Sequence, residues 1–281
     1  MKTDKEIIIK PTRGLLDLKL DEFFQYKNLI LMFVKRNYST RYKQMILGPA
    51  WLIISPILSV VAYTIVFGKI ANLSTDGIPQ PLFYLAGNIL WSFFANSINT
   101  NSNTFISNAS IFGKIYFPRM VIPVANTITL FLDFLIQFVL LGIVYGVYVA
   151  TGTTPVMVNK TILLLPIYLI QVALLGMGIG IIISSLTTKY RDLMVLVGFG
   201  IQIWLYISPV IYSTSIVPDQ FKSVYLLNPI APLLLNFKYS LFGTDGFYIL
   251  SWIISIIVTL LISVIGIIVF NQIEKDFMDT I

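Results

Sequence analysis

Blocks of predominantly apolar residues at about 50–70, 82–105, 121–149, 161–186, 193–212 and 248–270 alternate with shorter polar segments. A helix crosses the hydrocarbon core with about 20 mostly apolar residues, so each block predicts one transmembrane helix. The third block exceeds that length and predicts a tilted or projecting helix. Pro56, Pro123, Gly176 and Gly178 fall inside the blocks, which membrane helices tolerate because neighbours re-satisfy the freed backbone groups.

Two further segments follow different patterns. Over residues 15–38, Leu20, Phe23, Phe24, Leu31, Val34 and Tyr38 recur near helical spacing, with Lys19, Glu22, Lys27, Lys35 and Arg36 off that stripe. This predicts a basic amphipathic helix lying in the headgroup plane; packing on a partner protein is the alternative. Residues 223–243 are apolar enough to suggest a seventh span, but Asn228, Pro229, Pro232 and Lys238 would leave polar groups unsatisfied in lipid. Residues 213–246 are therefore expected to form an external re-entrant element, two half-helices broken at Asn228-Pro229. The expected fold is an all-α membrane protein with six transmembrane helices, an N-terminal amphipathic interfacial helix, and the re-entrant element between the last two spans. Residues 1–48 form a cytoplasmic N-terminal segment and 49–281 a single transmembrane domain. No internal repeat is evident, which disfavours an inverted-repeat transporter.

Charge orients this arrangement. Residues 1–48, 106–120, 187–192 and 271–281 hold fifteen of the nineteen Lys and Arg; the alternate segments hold Lys69, Lys160, Lys222 and Lys238. The asymmetry predicts cytoplasmic termini for a multi-pass membrane protein. The polar N-terminus has no apolar core of a cleavable signal, so the first span is expected to direct insertion. Composition agrees: 57% of residues are hydrophobic and 11% charged, against about 25% charged in soluble domains. A net charge of +6, concentrated beside apolar blocks, fits membrane lipids and not nucleic acid. With no Cys and no His, disulfides, thiolate or imidazole catalysis and the usual zinc sites are excluded.

Candidate chemistry is sparse. Gly68-Lys69 and Gly113-Lys114 are each followed by Ile, so no phosphate-cradling G-x-x-x-x-G-K-[ST] loop is present. Asp133, the one acidic residue deep in a span, shares a helix face with Asn126 and Gln137. A pore-lining group, a proton relay and a structural ion pair are the readings open to it. Lys35, Arg36, Arg41 and Lys43 could hold lipid phosphates or serve as positive-inside anchors. Tyr63, Phe67, Tyr84, Trp91, Phe94, Tyr206 and Tyr212 are candidates to line a path over which sugar faces slide, against a reading as helix packing and interfacial belts. Gly142/Gly146 and Gly176/Gly180 suggest close helix contacts. In the connector 107–120, Ser107 or Asn108 could cap a short helix ended by Pro118 and suited to docking on a partner.

The order of short motifs resembles the ABC-2 type permeases of polysaccharide export, the group exporting O-antigen, capsular and related glycans. The runs are Arg41-Tyr42-Lys43-Gln44, Leu47-Gly48 and Trp51, Phe67-Gly68, Asn108, Lys114-Ile115-Tyr116-Phe117-Pro118-Arg119, Pro123 and Leu132-Asp133-Phe134. Tyr190-Arg191-Asp192, Ser208-Pro209-Val210-Ile211-Tyr212, Val217-Pro218 and Leu227-Asn228-Pro229 complete them. The resemblance implies a homodimer bound to two ABC ATPase subunits, with ATP and magnesium held by those partners and no cofactor in this chain. It implies a polysaccharide on an undecaprenyl-diphosphate-like carrier, admitted near Lys35, Arg36, Arg41, Lys43, Leu47 and Gly48. Asn108, Phe112, Lys114, Tyr116 and Arg119 would couple to the ATPase, and the amphipathic helix would gate the cytoplasmic leaflet. Asp133 and Gln137 would join the aromatic residues along the channel. One departure stands out: relatives commonly place a small residue, an acidic residue and then Phe-Arg after the Asn-Pro pair, where this chain has Pro232, Leu235, Phe237 and Lys238.

The reading that follows is a transport subunit and not an enzyme. A teichoic-acid-type or drug exporter is the alternative within that class. A membrane enzyme acting on an isoprenoid-phosphate glycan would need acidic clusters at the membrane face, whereas Asp192 is the only carboxylate in the two short cytoplasmic loops. An ion-coupled transporter is disfavoured by the single intramembrane acid.

Overall fold

The computed structural model describes residues 26–43, 46–112, 114, 117–153, 158–190, 192–243 and 246–279, and among them there is no strand. The helices are α1 (Lys27–Tyr42), α2 (Trp51–Tyr63), α3 (Gln80–Ser102), α4 (Thr104–Phe112), α5 (Val121–Ala150), α6 (Leu165–Thr187), α7 (Leu193–Ile207), α8 (Asp219–Leu226), α9 (Ala231–Phe242) and α10 (Ile249–Asp279). A 3-10 turn, Gly48–Ala50, leads into α2, a π-helical stretch, Thr64–Ile70, extends it, and a 3-10 turn, Lys160–Leu164, leads into α6. Among the described residues, four continuous segments are long and apolar enough to cross a membrane: Gly48–Ile70, Val121–Ala150, Lys160–Thr187 and Ile249–Ile273. They match four of the six apolar blocks.

The second block became α3, which is long enough to span but polar in its C-terminal half (Asn96, Ser97, Asn99, Thr100, Asn101, Ser102). Such a helix cannot face lipid, where each unsatisfied polar group costs several kcal/mol. It lies in the centre instead, packed on α5, α6, α2, α7 and α9. Phe83, Tyr84, Ile89, Leu90 and Phe94 are completely buried there. The close approach of α6 depends on two glycines four residues apart. A Cβ on Gly176 would lie 2.7 Å from the Ser97 Cβ, and one on Gly180 would lie 2.6 Å from the Asn101 Cβ. On the opposite side of α6, Gly178 and Gly266 let α10 approach in the same way, and Gln171 donates to Ser255 (2.8 Å) and accepts from Trp252 (2.8 Å). Gly142 and Gly146 meet nothing within 4 Å, so that pair is not a contact within the chain.

The fifth block is shorter than its apolar run suggested. As α7 it ends at Ile207, with Ser208-Pro209 after it, and its 15 residues reach only about 22 Å at 1.5 Å per residue. Residues 208–211 turn inward instead, and Ser208, Val210 and Ile211 are buried. Helix ends leave carbonyls unpaired, and here the fully buried Lys238 of α9 donates to the carbonyls of Pro209 (2.8 Å) and Val210 (3.2 Å). The Lys238 ammonium also lies over the Phe83 ring, 3.5 Å from its centroid. Gly87 makes room for this turn, since a Cβ there would sit 2.5 Å from the Val210 carbonyl oxygen. Beyond it, α8 and α9 are two short helices separated by Leu227–Ile230, the place where the Asn-Pro pair predicted a break. Asn228 ties this break to α7: its side chain accepts from Trp204 Nε1 (3.0 Å) and donates to Ser208 Oγ (3.0 Å).

Helix α1 begins at Lys27, and the predicted stretch 15–25 lies outside the described residues. Its buried positions are Ile30, Phe33 and Val34, while Leu31 is exposed, so the apolar stripe is rotated from the expected one. The helix follows α5, Asn37 facing Asn126 and Arg41 facing Asp133. It is therefore laid against a helix of its own chain. The short helix of the connector also sits earlier than expected: α4 starts directly after a break at Asn103, so Asn108 lies within it and donates to the Thr104 carbonyl (3.0 Å) instead of capping.

Gly180→Ala is expected to destabilise the protein by about 1–3 kcal/mol through overpacking, whereas Gly142→Ala leaves stability unchanged. Thermal unfolding of the detergent-solubilised protein, followed by tryptophan fluorescence, measures both.

Candidate functional site

The polar residues that α3 and α5 cannot show to lipid meet α1 and α4 around a cavity of about 650 Å³. Helix α1 contributes Arg36, Asn37, Thr40 and Arg41; α3 and the break after it contribute Asn99, Thr100 and Asn103. Ser107, Asn108 and Ile111 come from α4, and Asn126 and Thr129 from α5. Among the described residues, Ile111 is the only apolar side chain in that wall.

Asp133 anchors one end. Seven residues after Asn126 on α5, it falls on the same helix face, and it forms an ion pair with Arg41. The Tyr38 hydroxyl donates to Asp133 Oδ1 (2.9 Å), and the Tyr42 hydroxyl lies at 3.5 Å. Asp133 is thus a buried carboxylate held by three side chains of α1. Burial, reinforced by the carboxylate, pushes the Tyr38 phenol above its ordinary pKa, so it remains a donor through the physiological range. Beside this cluster a separate chain of amides crosses from α1 to α5 and α3. Asn37 donates to Asn126 Oδ1 (3.0 Å), Asn126 to Asn101 Oδ1 (3.5 Å) and Asn101 to Thr127 Oγ1 (3.2 Å). At the other end, Arg36 donates to Asn108 Oδ1 (3.2 Å) and Asn37 Oδ1 (3.3 Å) and stacks on Phe33, 4.5 Å from the ring centroid. Burial lowers the Arg36 pKa from its ordinary value.

The four basic residues of the α1 region separate accordingly. Arg36 and Arg41 turn into the cavity, and Lys35 and Lys43 are exposed. Leu47 is exposed at the start of the next segment, and Gly48 takes a positive φ of 46° that a side chain would strain. Of the connector residues, Asn108, Phe112 and Arg119 are buried in the chain's own interior, with the Arg119 guanidinium 5.2 Å from the Phe112 ring centroid. Lys114 is exposed, and Tyr116 lies outside the described residues.

The aromatic candidates do not form one surface. Tyr84, Trp91 and Phe94 are buried in the core, Phe94 edge-on to Trp204 at 5.2 Å. Tyr63 and Phe67 are half-buried, and Tyr63 meets Tyr84 edge-on at 6.2 Å. Tyr206 is exposed, and the Tyr212 hydroxyl donates to its carbonyl (3.1 Å). Gln137 is half-buried farther along α5. The cavity residues missed by sequence reasoning include the amides Asn37, Asn99 and Asn103. The density of Asn in 96–108 was the available signal.

Breaking one side of a buried ion pair costs about 3–5 kcal/mol. Here the Arg41 side chain is 34% exposed and Asp133 9%, so Arg41→Ala is expected to cost about 2 kcal/mol. Asp133→Ala should cost less, because Arg41 can turn to water while the carboxylate cannot. A double-mutant cycle on unfolding should return a coupling of about 1 kcal/mol.

Comparison with known proteins gives this geometry a family. Residues 28–242, which include α1 and the whole cavity, match the family described as ABC-2 type transporter. Two proteins of Klebsiella pneumoniae, each called O-antigen export system permease protein RfbA, are both 28% identical over 90% of this chain and 94% of their own length. A protein of the same description from Myxococcus xanthus is 24% identical over 77% of this chain and 81% of its own. With its membrane-length helices and this match over most of its length, the chain is a multi-pass membrane protein that belongs to the ABC-2 type transporter family.

Proposed function

We propose that this chain is the permease subunit of an exporter that moves O-antigen-type polysaccharide, linked to a lipid diphosphate, across the bacterial inner membrane. The observation that carries this is the alignment, over nine-tenths of the chain, with proteins described as O-antigen export permeases. The chemistry agrees with a transport role. The chain has no phosphate-cradling loop of its own, so ATP and magnesium belong to a separate ABC ATPase. Two copies of the permease would pair with two such ATPases.

In this reading six segments cross the membrane, with α3 and α7 spanning inside a protein environment and not against lipid. Helices α8 and α9 form the external re-entrant element, and both termini lie in the cytoplasm. The connector carrying α4 and the exposed Lys114 would face the ATPase. Its motion would reach α1 through the Arg36–Asn108 contact and so open the cytoplasmic leaflet to the lipid-linked substrate.

Deleting the partner ATPase should abolish surface polysaccharide and accumulate lipid-linked glycan, scored by immunoblot and mass spectrometry; continued export would overturn the proposal. Topology can be read separately, because the chain lacks cysteine. With Ser74→Cys an impermeant maleimide should label intact spheroplasts, and with Thr188→Cys it should label only after lysis.

A further inference from the structure

The connection between α2 and α3, residues 71–79, is built to hold one shape. Thr75 and Ile78 close a tight turn: the Ile78 amide donates to the Thr75 carbonyl (3.1 Å), and the buried Thr75 hydroxyl donates to the Ile78 carbonyl (2.6 Å). The two central residues, Asp76 and Gly77, have φ of 51° and 81°, the left-handed pair that a type I′ turn requires. Asp and Gly enter that region at little cost, so the local sequence sets the turn. Pro79, whose ring fixes φ, then leads into α3.

This turn presents the Asp76 carboxylate to the segment after α7. The Ser213 and Ser215 hydroxyls both donate to it, Ser215 at 3.1 Å, and Ser74 donates from the turn itself (3.2 Å). Ser213 is completely buried and also caps the 3-10 turn Thr214–Ile216, accepting from the Ser215 amide (3.1 Å). Residues 208–216 are thus held at one end by Lys238 and at the other by Asp76.

The far end of the connection engages α2. Bonding from i to i+5 is rare and occurs mostly as single turns inside α-helices, whereas the π-helical stretch Thr64–Ile70 has seven residues. Its end is supported from outside. In π register the Gly68 carbonyl would take the Leu73 amide, but that amide bonds the Phe67 carbonyl (2.9 Å), and Gln80 Nε2 donates to Gly68 instead (3.2 Å). Gly68 is buried beneath this side chain, and a Cβ there would run into the Gln80 carboxamide.

We infer that residues 71–80 form a rigid strap coupling the segment after α7 to the helical register of α2, with Asp76 as its hook and Gln80 as its pin. While both are engaged, the π register is held. When Ser213 and Ser215 leave Asp76, the strap shifts, Gln80 withdraws from Gly68, and Thr64–Ile70 rewinds toward α. Because the two helices differ in residues per turn, rewinding turns Phe67 away from its place beside Tyr63. Among the described residues, the segment containing α2 is the least buried of the four of membrane length, so few contacts resist the turning. This coupling is a property of the chain's own fold and is independent of the cargo.

Hydrogen exchange of the purified full-length protein in nanodiscs, followed by mass spectrometry, reads local opening segment by segment. Asp76→Ala should speed exchange over residues 64–73 about fivefold, as the loss of one hydrogen bond of ordinary net strength implies, although the hydroxyls it releases lie after α7. Gln80→Met keeps a side chain of similar length over Gly68 but removes its donor, and should have the same effect there. Because coupling is reciprocal, Gln80→Met should also speed exchange over 213–217, which its contact with Gly68 does not reach. Exchange over α6 and α10 should stay unchanged in both variants. Unchanged exchange over 64–73 in Asp76→Ala, or over 213–217 in Gln80→Met, overturns the inference, because hook and pin are then separate local clasps. A uniform rise across all helices overturns it as well, since that marks a general loss of stability.

Discussion

A hydrocarbon core offers no partner to a polar group, and α3 carries six polar residues in its last seven positions. Much of the structure answers that one constraint. Ser97, Asn101 and Ser102 are buried, with α6 brought close by Gly176 and Gly180 and α5 supplying Asn126 and Thr127 as partners for Asn101. The polar side of α5 then needs a cover of its own, which α1 provides through Asn37, Tyr38 and Arg41. Centre and periphery are linked by a hydrogen-bonded path that runs from the buried core to a basic helix.

The same requirement shapes the other end of the molecule. Where α7 stops at Ile207, freed carbonyls turn inward, and Lys238 reaches them from α9. Asn228, at the break between α8 and α9, bonds Trp204 and Ser208. Residues that look unfavourable for a membrane segment are thus the ones that allow an irregular segment to pack there. The Lys238 ammonium meets backbone carbonyls and an aromatic face.

For function, the consequence is that α1 is held by its own chain at two kinds of joint. One is an ion pair, Arg41 with Asp133; the other joins a cation to a neutral amide, Arg36 with Asn108 on the connector. A neutral hydrogen bond contributes about 1 kcal/mol, and one to a charged group somewhat more, so both joints are of a size that ligand binding or partner movement can rearrange. The cavity between them is where such rearrangement would be felt.

The apolar blocks alone determined an all-helical membrane chain, because the length of an apolar run needed to cross lipid is set by the bilayer and not by neighbouring residues. Asn228-Pro229 likewise marked the break between two short helices, a local backbone effect. Legible too was that Asp133 shares a helix face with Asn126, though a structural ion pair was only one of the readings open to it. The tertiary structure decided the rest: that α3 is interior, that α7 ends five residues early, that α1 is turned to bury Ile30 and not Leu31, and that Tyr84, Trp91 and Phe94 are core. The cavity was hidden for the same reason. Its walls bring α1 against α3, α4 and α5, which follow it only after an intervening span, and hydropathy records how polar a residue is, not which polar residue will satisfy it.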